Sequence, residues 1–199
     1  ATESDYTLDE TIGTLKITTS TKVLKVESLD GEWTYDGNAH TKKQYKVTYG
    51  DTTIEGTEGQ TEFTLSTGDV VTITPAATAT ITHVSENTVA NAFTWTVENP
   101  TFYTTGEDTV GELKINPATL TIVTESGEKE YDGDPLTKPG SISGFVTPEG
   151  GEQETATFTV TGTITNVGEV PNSYSLVWDG TATESDYTLD ETIGTLKIT

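Results

Sequence analysis

One eighteen-residue segment occurs twice in this chain without a single difference, and this repetition constrains the fold more than any other feature. Residues 1–18 read ATESDYTLDETIGTLKIT, and residues 182–199 read the same. A looser third copy, FYTTGEDTVGELKI, occupies Phe102–Ile115. Internal repetition is typical of arrays in which each unit packs mainly against its neighbours. We therefore predict a piece of a tandem-repeat array, in which Thr199 stands one full period after Thr18.

The composition favours β-strands. About 45 of the 199 residues are Thr, and branching at the β-carbon suits a pleated strand better than a helix. The best helical candidate, Ser85–Phe93, is interpreted as loop followed by strand, because Pro171 stands in the matching part of the second copy. Many short apolar–polar alternations punctuated by Gly, Pro and Asn predict an all-β chain of two tandem antiparallel domains, sandwich or β-grasp-like, placed end to end.

The repeats divide the chain into three parts. Residues 1–18 are expected to be the C-terminal hairpin of a preceding repeat, or a linker, and to be disordered, docked on the next domain or paired with another molecule. Residues 19–116 form the first predicted repeat domain, and residues 117–199 form the second. Asn116-Pro117 joins them, and a proline with fixed φ predicts a stiff connection.

Individual strands are expected in the first repeat from these alternations. They lie at Val23–Ser28, Gln44–Tyr49, Thr61–Leu65, Asp69–Thr74, Ala77–Val84, Phe93–Val97 and Leu113–Ile115.

Charge and cysteine usage exclude several function classes. The net charge is −22, with 32 acidic residues against 10 basic ones, which opposes binding to nucleic acid or to an anionic membrane. No Cys is present, so there is no thiol nucleophile and no disulfide. No apolar run is long enough to cross a membrane, and the absence of Met leads us to expect a fragment whose targeting signals lie elsewhere.

The second repeat carries a family resemblance along Ala118–Thr199. It contains a strand, then Tyr131-Asp132-Gly133 with Pro135-Leu136, an SGF step, a GTITNVG step and a closing GTLKIT. This pattern resembles the YDG/MBG-type repeat modules of bacterial cell-surface adhesins. The first repeat keeps Tyr35-Asp36-Gly37, an ITHV step and the closing segment. The resemblance implies secreted, wall-anchored stalks of gut or oral bacteria, and it carries over no catalytic residue.

Acidic pairs recur in the three closing segments and are the candidate metal ligands. Hard cations such as calcium take carboxylate oxygens, and a repeated acidic turn is also typical of a solvated surface. The calcium candidates are Asp9, Glu10, Glu107, Asp108, Asp190 and Glu191.

The other chemistry-bearing residues favour structural roles. His40 and His83 are the only histidines, and His83 aligns with Asn166, so the fold does not require a His there. Asp36 and Asp132 are predicted to form turns, with the preceding Tyr sending its hydroxyl to a backbone partner. Trp33, Trp95 and Trp178 are predicted in the core, with sugar stacking as the alternative. Lys16, Lys114 and Lys197 alternate with apolar neighbours and should face solvent, which disfavours an isopeptide crosslink.

Together these features predict a non-enzymatic stalk segment of an extracellular bacterial adhesin, whose partners are neighbouring repeats. The alternative is a module that itself binds host glycans such as mucin, or matrix protein, through loops such as Thr147–Gln153, with avidity from many copies.

Overall fold

The computed structural model describes residues 12–199, and short β-strands dominate it. Strands before Pro117 are β1 (Val23–Ser28), β2 (Gly31–Thr34), β3 (Tyr45–Tyr49), β4 (Thr52–Glu55), β5 (Glu62–Thr64), β6 (Val70–Pro75), β7 (Thr88–Ala90), β8 (Phe93–Val97), β9 (Thr104–Thr105) and β10 (Glu112–Asn116). Strands after it are β11 (Ala118–Thr124), β12 (Gly127–Lys129), β13 (Gly140–Ser143), β14 (Thr157–Val160), β15 (Gly168–Pro171), β16 (Tyr174–Val177), β17 (Tyr187–Thr192) and β18 (Thr195–Ile198). The predicted all-β class is confirmed.

Helical structure in this part of the chain is limited to single 3-10 turns. They lie at Val84–Glu86, Pro100–Phe102 and Glu184–Asp186. The Ser85–Phe93 stretch therefore begins in a 3-10 turn and continues into β7, as loop followed by strand. Within residues 12–199, no helix has the length and apolar character needed to cross a bilayer.

Each sheet in residues 12–199 draws its strands from one side of Pro117. The first repeat contains the sheets β4-β3-β1-β9, β2-β10-β7 and β5-β6-β8. The second repeat contains the sheets β13-β11-β17, β12-β18-β15 and β14-β16. The pairing is mixed rather than purely antiparallel, because β1·β9, β2·β10, β11·β17 and β12·β18 are all parallel.

The two repeats share one strand plan. The opening strand of each, β1 or β11, pairs antiparallel with β3 or β13 and parallel with β9 or β17. The last strand, β10 or β18, lies between a parallel and an antiparallel neighbour in both repeats. The pairings set up residue equivalences, so that Leu24 corresponds to Leu120 and Tyr103 to Tyr187. β4 and β5 are additions in the first repeat.

Buried polar side chains sit at equivalent points in both repeats. The amide nitrogen of Asn91 donates to the carbonyls of Leu29 and Lys42, at 2.8 and 2.9 Å. That of Asn172 donates to the carbonyls of Glu125 and Lys138, at 3.0 and 3.1 Å. Each Asn therefore ties the strand before it to two loops, which explains why a buried amide recurs in a hydrophobic interior.

Strand alternation places the core where the sequence pattern predicts it. Along β11, Leu120 and Ile122 are fully buried while Thr119 and Thr121 face solvent, as the two-residue period of a strand requires. Each buried Leu or Ile of this kind contributes about 1.5–3 kcal/mol to stability. The predicted strand at Ala77–Val84 is wrong, since only Ile81 pairs there, in an isolated bridge with His40.

The closing segment is not a hairpin, which corrects the sequence prediction. β17 pairs with β11 in one sheet, and β18 pairs with β12 and β15 in another. The acidic residues Asp190 and Glu191 consequently lie in a strand and not in a turn. The parallel partners come from distant sequence, and no local pattern reveals them.

One sequence lies in two environments within the described chain. Leu196 and Ile198 are buried in the second repeat, with exposed fractions of 0% and 1%, whereas Leu15 and Ile17 are 100% and 83% exposed. Residues 12–18 form no strand, although they match 193–199 letter for letter. The apolar alternation therefore forms a strand only where neighbouring strands of a repeat flank it.

Candidate functional site: the joint between the repeats

The joint is the set of contacts that cross from the first repeat to the second, and a buried carboxylate lies at its centre. Glu154, in the segment between β13 and β14, is 8% exposed. Its Oε1 accepts a hydrogen bond from the hydroxyl of Tyr35 in the first repeat, at 2.6 Å. Its Oε2 accepts one from Tyr187, also at 2.6 Å. A single carboxylate thus links the Tyr-Asp-Gly turn of one repeat to β17 of the other.

Both tyrosines are held as hydrogen-bond donors. Burial, and then the hydrogen bond to Glu154, raise the pKa of the Tyr35 hydroxyl far above its ordinary value. The same two causes, in the same order, raise the pKa of Tyr187. A backbone N–H from Val146 reaches the Tyr187 hydroxyl oxygen at 3.0 Å. At neutral pH the protons therefore stay on the phenols and point at the carboxylate.

Three aromatic rings pack against Tyr187 at the joint. Tyr35 packs edge-on to Tyr187 with ring centroids 5.7 Å apart. Phe145 also packs edge-on to Tyr187, and Trp178 stacks on it at 6.0 Å. Tyr35 and Tyr187 belong to one continuous apolar cluster with Leu113, Ile115 and other residues from both sides of Pro117. The two repeats therefore share part of their core.

A second polar contact crosses the joint beside the first. The carboxylate of Asp186, which is fully buried, meets His83 Nδ1 at 2.8 Å. Its other oxygen accepts a hydrogen bond from the Val84 backbone N–H, also at 2.8 Å. Glu86 shapes the turn that carries His83, because its side chain accepts the N–H groups of His83 and Thr82, and these bonds lower the pKa of Glu86.

A third contact involves the Tyr-Asp-Gly turn itself. Gly37 has a φ of +77°, a left-handed conformation that glycine adopts without strain. A Cβ on Gly37 would lie 2.5 Å from Pro148 of the second repeat, so only glycine fits. The Glu149 backbone N–H donates to Asn38 Oδ1 at 2.9 Å. The Thr147–Gln153 loop, predicted as a ligand-binding loop, thus contacts the first repeat.

The Tyr-Asp-Gly motifs form turns as predicted, but the tyrosine hydroxyl does not bond to backbone. Asp36 and Asp132 each accept a backbone N–H two residues ahead, at 2.9 and 3.0 Å. Tyr35 instead reaches Glu154 across the joint, and its counterpart Tyr131 is 58% exposed. The prediction failed because the acceptor belongs to a neighbouring repeat and not to the motif's own fold.

The calcium candidates within the described chain do not converge. Asp108 accepts the Val26 N–H at 2.8 Å and the Trp95 indole N–H at 2.7 Å. Glu191 accepts the hydroxyl of Tyr174, while Glu107 and Asp190 are exposed. Asp9 and Glu10 lie outside the described residues. In residues 12–199, no group of three or more His, Asp or Glu is placed to hold a metal ion.

The remaining candidates have structural surroundings. His40 meets Asp36 Oδ1 at 2.8 Å and stacks on Trp33 with centroids 4.9 Å apart. Lys114 and Lys197 are about half-exposed and face Glu32 and Glu128, as their alternation predicts. Lys16 is exposed as well.

An open groove lies beside the joint in the second repeat. It encloses about 600 Å³ between β16 and β17, and its walls include Tyr174, Leu176, Trp178, Leu189 and Glu191. A smaller recess of about 300 Å³ lies at the equivalent strand pair of the first repeat, beside Trp95 and Thr105. The groove therefore combines aromatic and apolar surface with a carboxylate.

Besides Asp186, the charged joint residue that the sequence did not reveal is Glu154. It lies in an acidic, Gly-rich loop, GGEQET, where every carboxylate looks equivalent. Its counterpart in the first repeat is Asp69, which accepts the hydroxyl of Tyr103 at 2.5 Å. The alignment that pairs Tyr103 with Tyr187 marks both tyrosines, but it does not identify their acidic partners.

Comparison of the chain with protein-family models, with curated proteins and with solved structures finds no match in any of the three. The resemblance to YDG/MBG-type modules therefore stays a prediction made from the motifs.

Proposed function

We propose that the chain is a non-enzymatic, extracellular stalk segment of a bacterial cell-surface adhesin, most compatible with a Gram-positive wall-anchored protein. Its role is to space a distal binding region from the cell wall. The partners are neighbouring repeats of the same chain. The buried carboxylate shared by Tyr35 and Tyr187 is the observation that carries this proposal.

A stalk must resist bending where its units meet, and the joint supplies that resistance. One covalent crossing at Pro117 restricts the path of the chain but leaves rotation about the link. Three further crossings, at Glu154, Asp186 and Pro148, lie on two separate segments of the second repeat, the β13–β14 connection and the turn before β17. Contacts at several separated points fix an orientation, because bending at any one of them breaks another. This arrangement favours length and stiffness as the function.

The proposal is tested by the distance distribution between spin labels on the two repeats. The chain has no native Cys, so Thr64→Cys and Thr159→Cys, at exposed strand positions, give a unique label pair. We expect one narrow distance peak, which Glu154→Ala broadens because two buried hydroxyls lose their acceptor. Glu152→Ala, in the same loop and exposed, is the matched control. A broad distance distribution in the labelled chain that keeps Glu154 would refute a stiff stalk.

Glycan binding is the second candidate function, and the groove at Tyr174 and Glu191 favours it. Sugar rings stack on aromatic faces and donate hydroxyls to carboxylates, and a groove of this size suits a short oligosaccharide. A related recess in the first repeat would multiply weak binding through avidity. Matrix protein is the other ligand to include in a binding screen.

A glycan array probed with labelled chain separates this candidate from the stalk. Binding that Tyr174→Ala and Glu191→Gln both abolish would support the groove. Tyr131→Ala, which removes an exposed aromatic ring outside the groove, is the control and should leave binding unchanged. Retained binding in the groove variants would exclude this site.

A further inference from the structure

The second repeat exposes a surface that corresponds to the one the first repeat uses at the joint. Tyr131 occupies the position of Tyr35. Each follows a strand, β12 or β2, that pairs in the same register with the last strand of its repeat. Each also donates its backbone N–H to the last residue of the repeat, which is Thr199 for Tyr131 and Asn116 for Tyr35. Tyr35 is 4% exposed and Tyr131 is 58% exposed. The difference follows from what covers each ring, since the second repeat covers Tyr35.

A second residue on the same face shows the same contrast. Val167 corresponds to Val84. Each stands three residues after an Ile that forms an isolated bridge, Ile164 with Leu136 and Ile81 with His40. Val84 packs against the joint cluster, whereas Val167 is 67% exposed. Tyr131 and Val167 therefore form an exposed counterpart of a surface that is covered elsewhere in the same molecule. We call these two residues the outgoing face.

The first repeat carries the complementary surface. Asp69 corresponds to Glu154, since both stand just before equivalent strands, β6 and β14, and both accept a hydroxyl from equivalent tyrosines, Tyr103 and Tyr187. The second oxygen of Asp69 meets only the exposed amide of Asn99 within the described chain, at 3.0 Å. Asp69 thus has one tyrosine, where Glu154 has two.

The remaining positions carry different residues on the two exposed faces. At the observed joint, buried Asp186 meets His83 and the Val84 N–H. Asp186 ends a 3-10 turn that is followed by Tyr187, and Phe102 ends the equivalent turn before Tyr103. On the outgoing face, Asn166 replaces His83. The positions of the polar pair His83 and Asp186 are therefore held by Asn166 and by Phe102, which is 47% exposed, and the apolar Val167 lies next to Asn166 in the chain. We call Asp69, Phe102 and Tyr103 the incoming face.

The geometry points to a second, head-to-tail joint, in which the outgoing face of this chain binds the incoming face of another copy of residues 19–116 placed directly after Thr199. Tyr131 then shares Asp69 with Tyr103, as Tyr35 shares Glu154 with Tyr187. Val167 covers Phe102. The inference rests on the proposed stalk function and extends it, because it makes the contact between successive periods specific. The repeated segment indicates which sequence binds there. Residues 1–18 are identical to 182–199 and are followed by Thr19, so the partner is a copy of residues 19–116.

The second joint differs in its connecting segment. From Asn116 to Leu120 the observed link contains Pro117, while the equivalent stretch from Thr18 to Leu24 is longer and contains no proline. The covalent link therefore orients this joint less than Pro117 orients the observed one. The docked faces must supply the stiffness.

The test uses this chain extended after Thr199 by residues 19–116, with hydroxyl-radical footprinting read by mass spectrometry. In the 199-residue chain Tyr131 is modified readily and Tyr35 is protected, as their exposures of 58% and 4% require. In the extended chain we expect protection of Tyr131, which occurs only once in it, by about tenfold, approaching that of Tyr35 in the 199-residue chain.

A surface variant separates docking from folding. Val167→Lys lies on an exposed position, so it leaves the Tm of the 199-residue chain unchanged while abolishing protection of Tyr131 in the extended chain. Val177→Lys is the control, since Val177 is 50% exposed and its counterpart, Thr96, lies outside the joint cluster. Tyr131 that stays reactive in the extended chain, while Tyr35 of the 199-residue chain is protected, would overturn the second joint and leave the stalk proposal standing. Loss of Tyr35 protection in the unmodified chain would instead overturn the stalk proposal.

Discussion

Replacing Tyr35 by Phe isolates one hydrogen bond at the joint and leaves the ring in place. A hydrogen bond to a charged group contributes about 1.5–3 kcal/mol. Glu154 keeps the Tyr187 hydroxyl as its remaining partner, so we expect a loss of about 2 kcal/mol for Tyr35→Phe. That loss changes the folded-to-unfolded ratio about 30-fold. For a chain of this length it corresponds to a decrease in Tm of about 4–8 °C.

Two matched variants give the measurement its internal scale. Tyr187→Phe removes a hydroxyl that also accepts the Val146 N–H at 3.0 Å, so it should cost more than Tyr35→Phe. Tyr131→Phe changes the equivalent but 58% exposed position, and substitutions at such sites usually alter stability by less than about 0.5 kcal/mol. The expected order of destabilisation is Tyr187→Phe, then Tyr35→Phe, then Tyr131→Phe.

The assay is urea unfolding followed by tryptophan fluorescence. Trp178 stacks on Tyr187, so its emission reports on the joint as well as on the fold. Calorimetry gives the matching shift in Tm. Equal stabilities of Tyr35→Phe and Tyr131→Phe would show that the Glu154 contact contributes nothing measurable, and the argument for a stiff joint would then lose its main support.

Three further predictions follow from contacts outside the joint. Asn91→Ala and Asn172→Ala should each destabilise the chain to urea by about 2–3 kcal/mol, because each leaves two carbonyls without a buried donor; an effect below about 0.5 kcal/mol would contradict this role. Burial, followed by the hydrogen bond to Glu191, raises the pKa of Tyr174 to about 12, while an unfolded tyrosine ionises near about 10. The folded state therefore holds this proton more tightly, and stability should fall as the pH rises from about 10 to 12; the absorbance titration of tyrosinate should lose one late-titrating group in Tyr174→Phe, and no late group in the parent chain would refute the shift. Asp108→Ala should lower the Tm by removing the acceptor for Val26 and Trp95, Asp190→Ala should not, and added calcium should change neither result; a calcium-dependent rise in Tm that Asp190→Ala abolishes would restore the metal-site hypothesis.

Local patterns in the sequence were enough to predict most strands and turns. The alternation of apolar with polar residues gave β1, β3, β6 and β8 within a residue or so of their observed bounds, because side chains on a strand alternate between two faces. Asp36 and Asp132 were predicted to form turns because Asp-Gly closes them through the side chain of the Asp itself. These features depend on residues that are neighbours in the chain.

Contacts between distant residues were beyond the reach of those patterns. The closing segment was predicted as a hairpin, yet β17 and β18 pair with strands from different parts of the repeat. Nothing in the alternation of a strand specifies its partner, since a parallel pairing involves residues far apart in sequence. The site was missed for the same reason: Tyr35 and Glu154 are separated by 119 positions.

The repeated segment separates what the sequence determined from what the tertiary structure decided. Sequence alone determined the all-β class, the equivalence of the two repeats and the strand potential of Leu-Lys-Ile. Tertiary structure decided that Leu196 is buried and Leu15 fully exposed, although their flanking residues are the same. The physical reason is that an apolar strand is stabilised by the partners that cover it. Whether Tyr35 or Tyr131 lies in a joint depends likewise on the repeat that follows.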